Sequence, residues 1–155
     1  MTKVETVTIV YEHPKVLLGM KKTKFGRGKY NGFGGKVENG ETLEKCAIRE
    51  TFEEAGIKVK NIEKMGEILF SFQTDEEDHY VHFFKATRYE GNPVESEEMK
   101  PEWFNINEIP YNEMWSDDKY WLPLLLSGKK FNGNFVFDGN FQIYQYTLEE
   151  VLHLS

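Results

Sequence analysis

Residues 35–57, GKVENGETLEKCAIRETFEEAGI, constrain this chain more than any other stretch. At their centre, Arg49-Glu50-Thr51-Phe52-Glu53-Glu54 sets three carboxylates at positions i, i+3 and i+4. With about 100° of turn per residue, the three project from one side of a helix. Like charges this close destabilise a helix by about 0.2–0.5 kcal/mol per pair. A solvated surface helix can carry such a run. The alternative is a divalent cation that offsets the repulsion, and carboxylate oxygens suit hard ions such as Mg²⁺ or Mn²⁺. The helix is expected over 41–55, opened by Asn39-Gly40 and closed by Gly56 in a left-handed cap. Ile48, Phe52 and Ala55 are expected to pack on a sheet, with Leu43 and Ala47 near the acidic side.

Around this helix the pattern is mostly strand. The β-branched run 6–10 and the apolar run 16–20 read as a hairpin turning at His13-Pro14. The glycine-rich stretch 25–35 reads as a loop with a short strand at 30–33. Strands are expected at 67–72 and 79–86, flanking the acidic turn 74–78, and at 103–106. A second helical region starts near Ile109-Pro110, with Asp117-Asp118 at the head of KYWLPLLLSG, where acids suit a helix N-terminus. A closing hairpin is expected at 135–137 and 141–144. Without regular βαβ alternation, these elements predict an α/β fold with a mixed sheet between helices, in a single domain over residues 1–155.

Composition narrows the function. A net charge of −7 argues against a nucleic-acid polymer as partner, while a small anionic substrate could still bind through local cations. The lone Cys46 excludes an internal disulfide and is expected to be a buried helix residue. No stretch approaches the roughly 18 apolar residues of a membrane span. The N-terminus lacks the basic-then-apolar pattern of a secretory signal. A cytoplasmic monomer with no membrane association is expected. His79 and His82 lie three apart on a predicted strand and face opposite sides, so they are not expected to share a metal; His13 and His153 carry no signal.

The spacing G-x5-E-x7-R-E-T-x-E-E-x-G-I resembles the signature of the Nudix hydrolases. Gly35, Glu41, Arg49, Glu50, Glu53, Glu54 and Gly56 stand at its fixed positions, and Ile57 at its last aliphatic one. Thr51 departs from the pattern, being polar where an aliphatic is usual. The resemblance implies an α/β/α sandwich and metal-dependent cleavage of a nucleoside diphosphate derivative. It also implies Glu50, Glu53 and Glu54 as metal ligands, joined by the Gly34 carbonyl. Arg49 would orient a helix glutamate and Glu41 would support it. Glu53, Glu54 or Glu98 would serve as general base, and Glu98 would also reach the metal.

Outside the signature, residues 16–22, 31–37, 93–96 and 114–126 are similar to the branch of that family acting on oxidised purine nucleoside triphosphates such as 8-oxo-dGTP and 2-oxo-dATP. That likeness implies release of the monophosphate and pyrophosphate, and a role in sanitising the nucleotide pool. Trp115 would stack on the purine, with Phe25 covering its other side. Asn31 and Thr6 would meet the base, and Lys21 a triphosphate oxygen. The stretch Phe33-Gly34-Gly35-Lys36 would complete the site. Asp117 and Asp118 are most often plain helix caps. As a coupled pair in a partly apolar pocket, one protonated and one ionised, they would read either oxidised purine. Two other readings stay open. One is a Nudix hydrolase for a dinucleoside polyphosphate, nucleotide sugar or capped RNA; the other is a nucleotide-binding module without catalysis.

Overall fold

The structure, a computed structural model, describes residues 1–154. Its strands are β1 (Thr2–Glu12), β2 (Lys15–Lys21), β3 (Tyr30–Asn31), β4 (Phe33–Lys36), β5 (Lys58–Phe72), β6 (Asp78–Glu90), β7 (Met99–Asn105), β8 (Lys130–Phe137) and β9 (Ile143–Val151). Its helices are α1 (Leu43–Ala55) and α2 (Asp118–Leu126), with a 3₁₀ turn at Tyr111–Glu113 before α2. One mixed sheet runs β3-β2-β1-β6-β5-β8-β9, with β4 paired to β1 and β7 to β2. The β1–β6 and β5–β8 pairs are parallel and the others antiparallel. The expected mixed α/β architecture is the one observed. Among the described residues no helix is long and apolar enough to cross a membrane.

Alternation along β1 sends side chains to two cores. Ile9 joins Trp121, Leu122 and Leu125 of α2, while Val10 joins Ala55 of α1. The strand also changes partner partway along. Val10–Glu12 pair with β2, but Glu5–Thr8 pair with β4. Beyond the change, β2 departs with β3 and β7 as a separate flap of sheet. The cleft between flap and main sheet holds the candidate site.

α1 begins at Leu43 rather than 41, because Thr42 accepts the Lys45 N–H at 3.2 Å and so caps it. Its buried side is Cys46, Ala47, Thr51, Glu54 and Ala55. Phe52 is 58% exposed, contrary to its expected place on the sheet. The helix lies close to the glycines of β4, and only small or polar residues fit that approach. Ile48 is half-buried against the core. Thr51 is tolerated in this seam because its hydroxyl donates to the Ala47 carbonyl at 2.7 Å.

The helix ends at Gly56, with φ 73° and its N–H bonded to the Phe52 carbonyl at 2.9 Å. A Cβ there would meet Val94. Gly56→Ala is expected to cost about 1–2 kcal/mol from the left-handed backbone alone. Urea denaturation checks this, and an unchanged midpoint would contradict it.

Several strands run longer than the sequence predicts. β5 starts at Lys58, not 67; its first half carries alternating charges, Asn61 at φ 52° and a register shift at Lys64/Gly66, which together mask the pattern. β7 starts at Met99, and the closing hairpin extends over β8 and β9.

Candidate functional site

Arg49 lies at the centre of the acidic cluster. Its Nε and Nη2 donate to Glu41 at 2.7 and 3.0 Å, and Nη1 donates to Glu50 at 2.6 Å and to Glu53 at 3.1 Å. Nη2 also reaches the Lys36 carbonyl at 3.2 Å. The guanidinium pulls the Glu41 carboxyl down to about 2. Glu54, only 3% exposed, points instead at β4 and accepts the Gly34 N–H at 2.9 Å. Burial pushes its carboxyl up to about 8, and the charges of Glu50 and Glu98 add to that, while Gly34 and Lys21 oppose it. Burial likewise raises Glu50, against the pull of Arg49.

β4 lies close to both the helix and β1. A Cβ on Gly35 would run into the Glu50 carboxylate, and one on Gly34 into the Thr6 carbonyl. Gly34 admits only glycine, because the clash is with backbone, while a side chain at Gly35 would displace the Glu50 carboxylate.

Among the described residues, no group of three or more His, Cys, Asp or Glu stands ready-made to hold a metal ion. Arg49 gathers Glu41, Glu50 and Glu53 onto its guanidinium, while Gly34 holds Glu54 toward β4. The donor chemistry nevertheless fits a hard divalent cation. Glu50, Glu53, Glu54 and Glu98 offer oxygens only, and burial disfavours the charged forms of Glu54 and Glu50, a penalty that a nearby cation would relieve. Glu53 is the more open of the helix acids, and Glu98 forms an ion pair with Lys24 at 3.7 Å.

From Glu54 the cleft runs over the other face of the sheet. Thr6, Lys21, Phe25, Asn31, Gly34, Gly35, Trp115, Asp117 and Asp118 all line it. Phe33 does not: it is fully buried in the core under α1. Strand alternation explains this, because Phe33 faces the helix while Gly34 borders the cleft. Lys36 also lies apart, with Glu50 in a neighbouring recess of the loop before α1. Thr6 reaches the cleft floor, but its hydroxyl lies 3.3 Å from Cys46 Sγ. Asn31 donates its amide to the Lys29 carbonyl at 3.0 Å, which fixes the orientation of its oxygen.

Phe25 lies directly against Trp115, with ring centroids 5.1 Å apart, rather than across a slot. A base entering here must exchange that ring contact for its own.

Asp117 and Asp118 do not act as ordinary caps, since Asp117 makes no side-chain cap hydrogen bond. Both are almost fully buried. Asp117 accepts Trp121 Nε1–H at 2.8 Å. Burial raises both carboxyls; Asp118 rises further because the charge of Asp117 and a hydrogen bond between the two favour its protonated form. Between its two titrations such a pair offers a donor acid beside an acceptor carboxylate.

The sequence alone does not single out the apolar wall of Phe70, Phe72, Phe137 and Phe141, nor Glu5 and His79. The wall comes from β5, β8 and the turn after β8, which are distant in sequence. Phe141 reaches Phe25 and Trp115 from that turn, at φ 57°.

Residues 1–125 match the family described as the NUDIX domain. Over 150 residues the chain is 49% identical to the oxidized purine nucleoside triphosphate hydrolase of Danio rerio, covering 97% of this chain and 96% of that one. It is 48% identical, with the same coverage, to the protein of that name from Mus musculus. Its fold matches the crystal structure of a MutT protein from Bacillus halodurans with a TM-score of 0.86 and 32% identity, over 95% of this chain and 97% of that one.

Proposed function

The chain belongs to the Nudix hydrolases, and from that membership we propose that it hydrolyses oxidised purine nucleoside triphosphates, such as 8-oxo-dGTP and 2-oxo-dATP, to the monophosphate and pyrophosphate. The observation that carries this reading is the cleft itself. It joins a buried acid pair beside Trp115 at one end to Glu54 and the glycines of β4 at the other. A nucleotide fits with its base at the first end and its phosphates at the second.

Each residue has a task in this reading. Trp115 gives the base a flat apolar face. Asp118 donates and Asp117 accepts along the base edge, with the Asn31 oxygen as a further acceptor. Trp121 holds Asp117 in place through its indole N–H. Lys21 meets the phosphates. Gly34 and Gly35 let the backbone approach closely. Glu50, Glu53, Glu54 and the Gly34 carbonyl are the proposed metal ligands, with Glu98 joining from its loop. Arg49 keeps Glu50 and Glu53 oriented. Glu53 and Glu98, both open to solvent, are the proposed acceptors for the proton of the attacking water. A divalent cation, Mg²⁺ in our reading with Mn²⁺ as a substitute, supplies charge compensation for the phosphate oxygens and acidifies water when bound. We further propose that residues 1–155 act as one domain, as a cytoplasmic monomer without nucleic-acid or membrane partners, in sanitation of the nucleotide pool.

The test is pyrophosphate release with Mg²⁺, comparing 8-oxo-dGTP, 2-oxo-dATP, dGTP and a dinucleoside polyphosphate. Preference for the oxidised purines is expected; turnover of the dinucleoside polyphosphate alone would overturn the pocket assignment. Trp115→Ala is expected to lower kcat/KM about tenfold, mainly through KM, since a stacked base is worth about 1–3 kcal/mol. An unchanged KM would remove Trp115 from the base site.

A further inference from the structure

The sequence of residues 93–96 is similar to the family branch named above, yet none of the four lines the cleft. They lie in the connection from β6 to β7, which crosses from the main sheet to the flap. On the way the chain fastens to the end of α1. The Val94 N–H donates to the Ala55 carbonyl at 2.9 Å, and Ser96 Oγ donates to the Glu54 carbonyl at 2.9 Å. Both carbonyls lie in the last turn of the helix, where no further helical N–H reaches them. Ser96 then opens a tight turn. Its N–H donates to the Met99 carbonyl at 2.9 Å, and the Met99 N–H donates to Ser96 Oγ at 3.1 Å. Glu97 and Glu98 are the tip of that turn.

Lys22, just past the end of β2, holds the turn on two sides. Its N–H donates to the Glu98 carbonyl at 2.8 Å. Its ammonium donates to the Ser96 carbonyl at 2.8 Å and to Glu95 Oε2 at 2.5 Å. Lys24 pairs with the Glu98 carboxylate at 3.7 Å, but its side chain is 74% exposed, and so open a pair fixes little. Glu98 thus stands on a turn bound to the acidic helix on one side and to the flap on the other. From there its charge acts on both Glu50 and Glu54.

We propose that Lys22 is a positioning residue for hydrolysis, whose ammonium ties the flap to the turn Ser96–Met99 and so holds Glu98 toward Glu50 and Glu54. This rests on the reading of Glu98 as a group that serves the metal or the attacking water. Lys22 acts through Glu98 and not by touching the nucleotide. Without the ammonium, the Ser96 carbonyl and Glu95 are released, and the flap keeps only the Lys22 N–H on the far side of the turn. Glu98 then loses its fixed approach, and a misplaced catalytic group costs turnover even where binding is intact.

The experiment measures kcat and KM for 8-oxo-dGTP with Mg²⁺ in the unaltered protein, Lys22→Met, Lys22→Arg, Lys24→Met, Glu98→Gln and the double variant Lys22→Met/Glu98→Gln, with melting temperatures to confirm folding. Lys22→Met is expected to lower kcat about fivefold with KM retained, the scale of a partly exposed ion pair. Lys22→Arg should restore most of the loss. In the Glu98→Gln background Lys22→Met should cost nothing further, because its action passes through that carboxylate. An unchanged kcat in folded Lys22→Met, or an equal loss in both backgrounds, would overturn the proposal and leave Glu98 in its role. A rise in KM at constant kcat would assign Lys22 to nucleotide binding and likewise overturn it. So would a loss in Lys24→Met as large as that in Lys22→Met, which would trace the effect to positive charge beside Glu98. Full turnover in Glu98→Gln would remove Glu98 from the chemistry, and the role of Lys22 with it. If the unaltered protein does not turn over 8-oxo-dGTP, the substrate reading fails, and the proposal with it, before any variant is compared.

Discussion

Replacing Glu54 with glutamine is expected to cut turnover by about two to three orders of magnitude, the usual cost of removing one preorganised charge-stabilising group. The same change should stabilise the metal-free protein. Glu54 is buried at 3% exposure, and its carboxyl is pushed from 4.5 to about 8 in the folded chain. The sign follows from which state holds the proton. Between these two values the folded state keeps a proton that the unfolded state has lost, so stability falls as pH rises through that window. Above about pH 8 the full penalty of a buried, poorly compensated carboxylate is present, with an upper limit of roughly 4–5 kcal/mol.

Glutamine has nearly the same shape and can still accept the Gly34 N–H, yet it carries no charge. Urea denaturation in the presence of a chelator should therefore show the largest gain for the variant at alkaline pH and little difference near pH 4. An added divalent cation should reverse the order, because it stabilises only the chain that binds it. A variant no more stable than the original at alkaline pH, or one retaining most of its turnover, would remove Glu54 from the centre of the site.

The second large effect concerns selectivity. Asp118→Asn is expected to shift the ratio of kcat/KM for 8-oxo-dGTP and 2-oxo-dATP by about tenfold or more, the scale of one hydrogen bond to a charged group. The physical reason is the shared proton. Burial raises both Asp117 and Asp118, and Asp118 is raised further by its neighbour. Between the two raised values the pair keeps one proton and can place it on either acid. Two complementary donor–acceptor patterns are then available to a base. As pH rises through the upper of the two the remaining proton is lost, and activity on both substrates should fall together. Asparagine supplies a permanent donor and cannot become an acceptor carboxylate. The variant should lose one substrate far more than the other, and its alkaline limb should disappear. Equal loss on both substrates with an unchanged pH profile would show the pair to be structural.

How far the chain can be read without its structure depends on how local the signal is. The signature is local: Gly35 through Ile57 name their own helix, cap and acidic face, and the glycines of β4 are present because the helix lies against them. The acid pair is also local, although only the structure shows that neither residue is spent on capping. Phe33 and Phe52 show where local pattern fails. One residue decides whether a side chain at β4 meets the core or the cleft, and sequence spacing does not fix that choice in a four-residue strand. Phe52 is apolar at a helical position, but it stands on the exposed side of α1, and the buried side is taken by Cys46, Ala47, Thr51, Glu54 and Ala55. The phenylalanine wall and the hydrogen-bonded pair of Glu5 and His79 are non-local. They form only when β1, β5, β6 and β8 come into register, and no spacing along the chain announces that.

The change of partner along β1 has a wider consequence. Most of what would read the base stands on the flap or on α2 and the loop before it, while the hydrolytic acids of α1 stand against the main sheet; the strand joining them contributes to both. Two kinds of work are thus anchored on separate pieces of scaffold that share one seam. Substitutions in the flap or the loop before α2 can alter which nucleotide is accepted while leaving the acidic helix and its glycine seat untouched. Such an arrangement lets a lineage change its diet without reinventing its teeth. By the same logic, an insertion of one residue in β1 would exchange the faces that Val7 and Thr6 take and disable both functions at once.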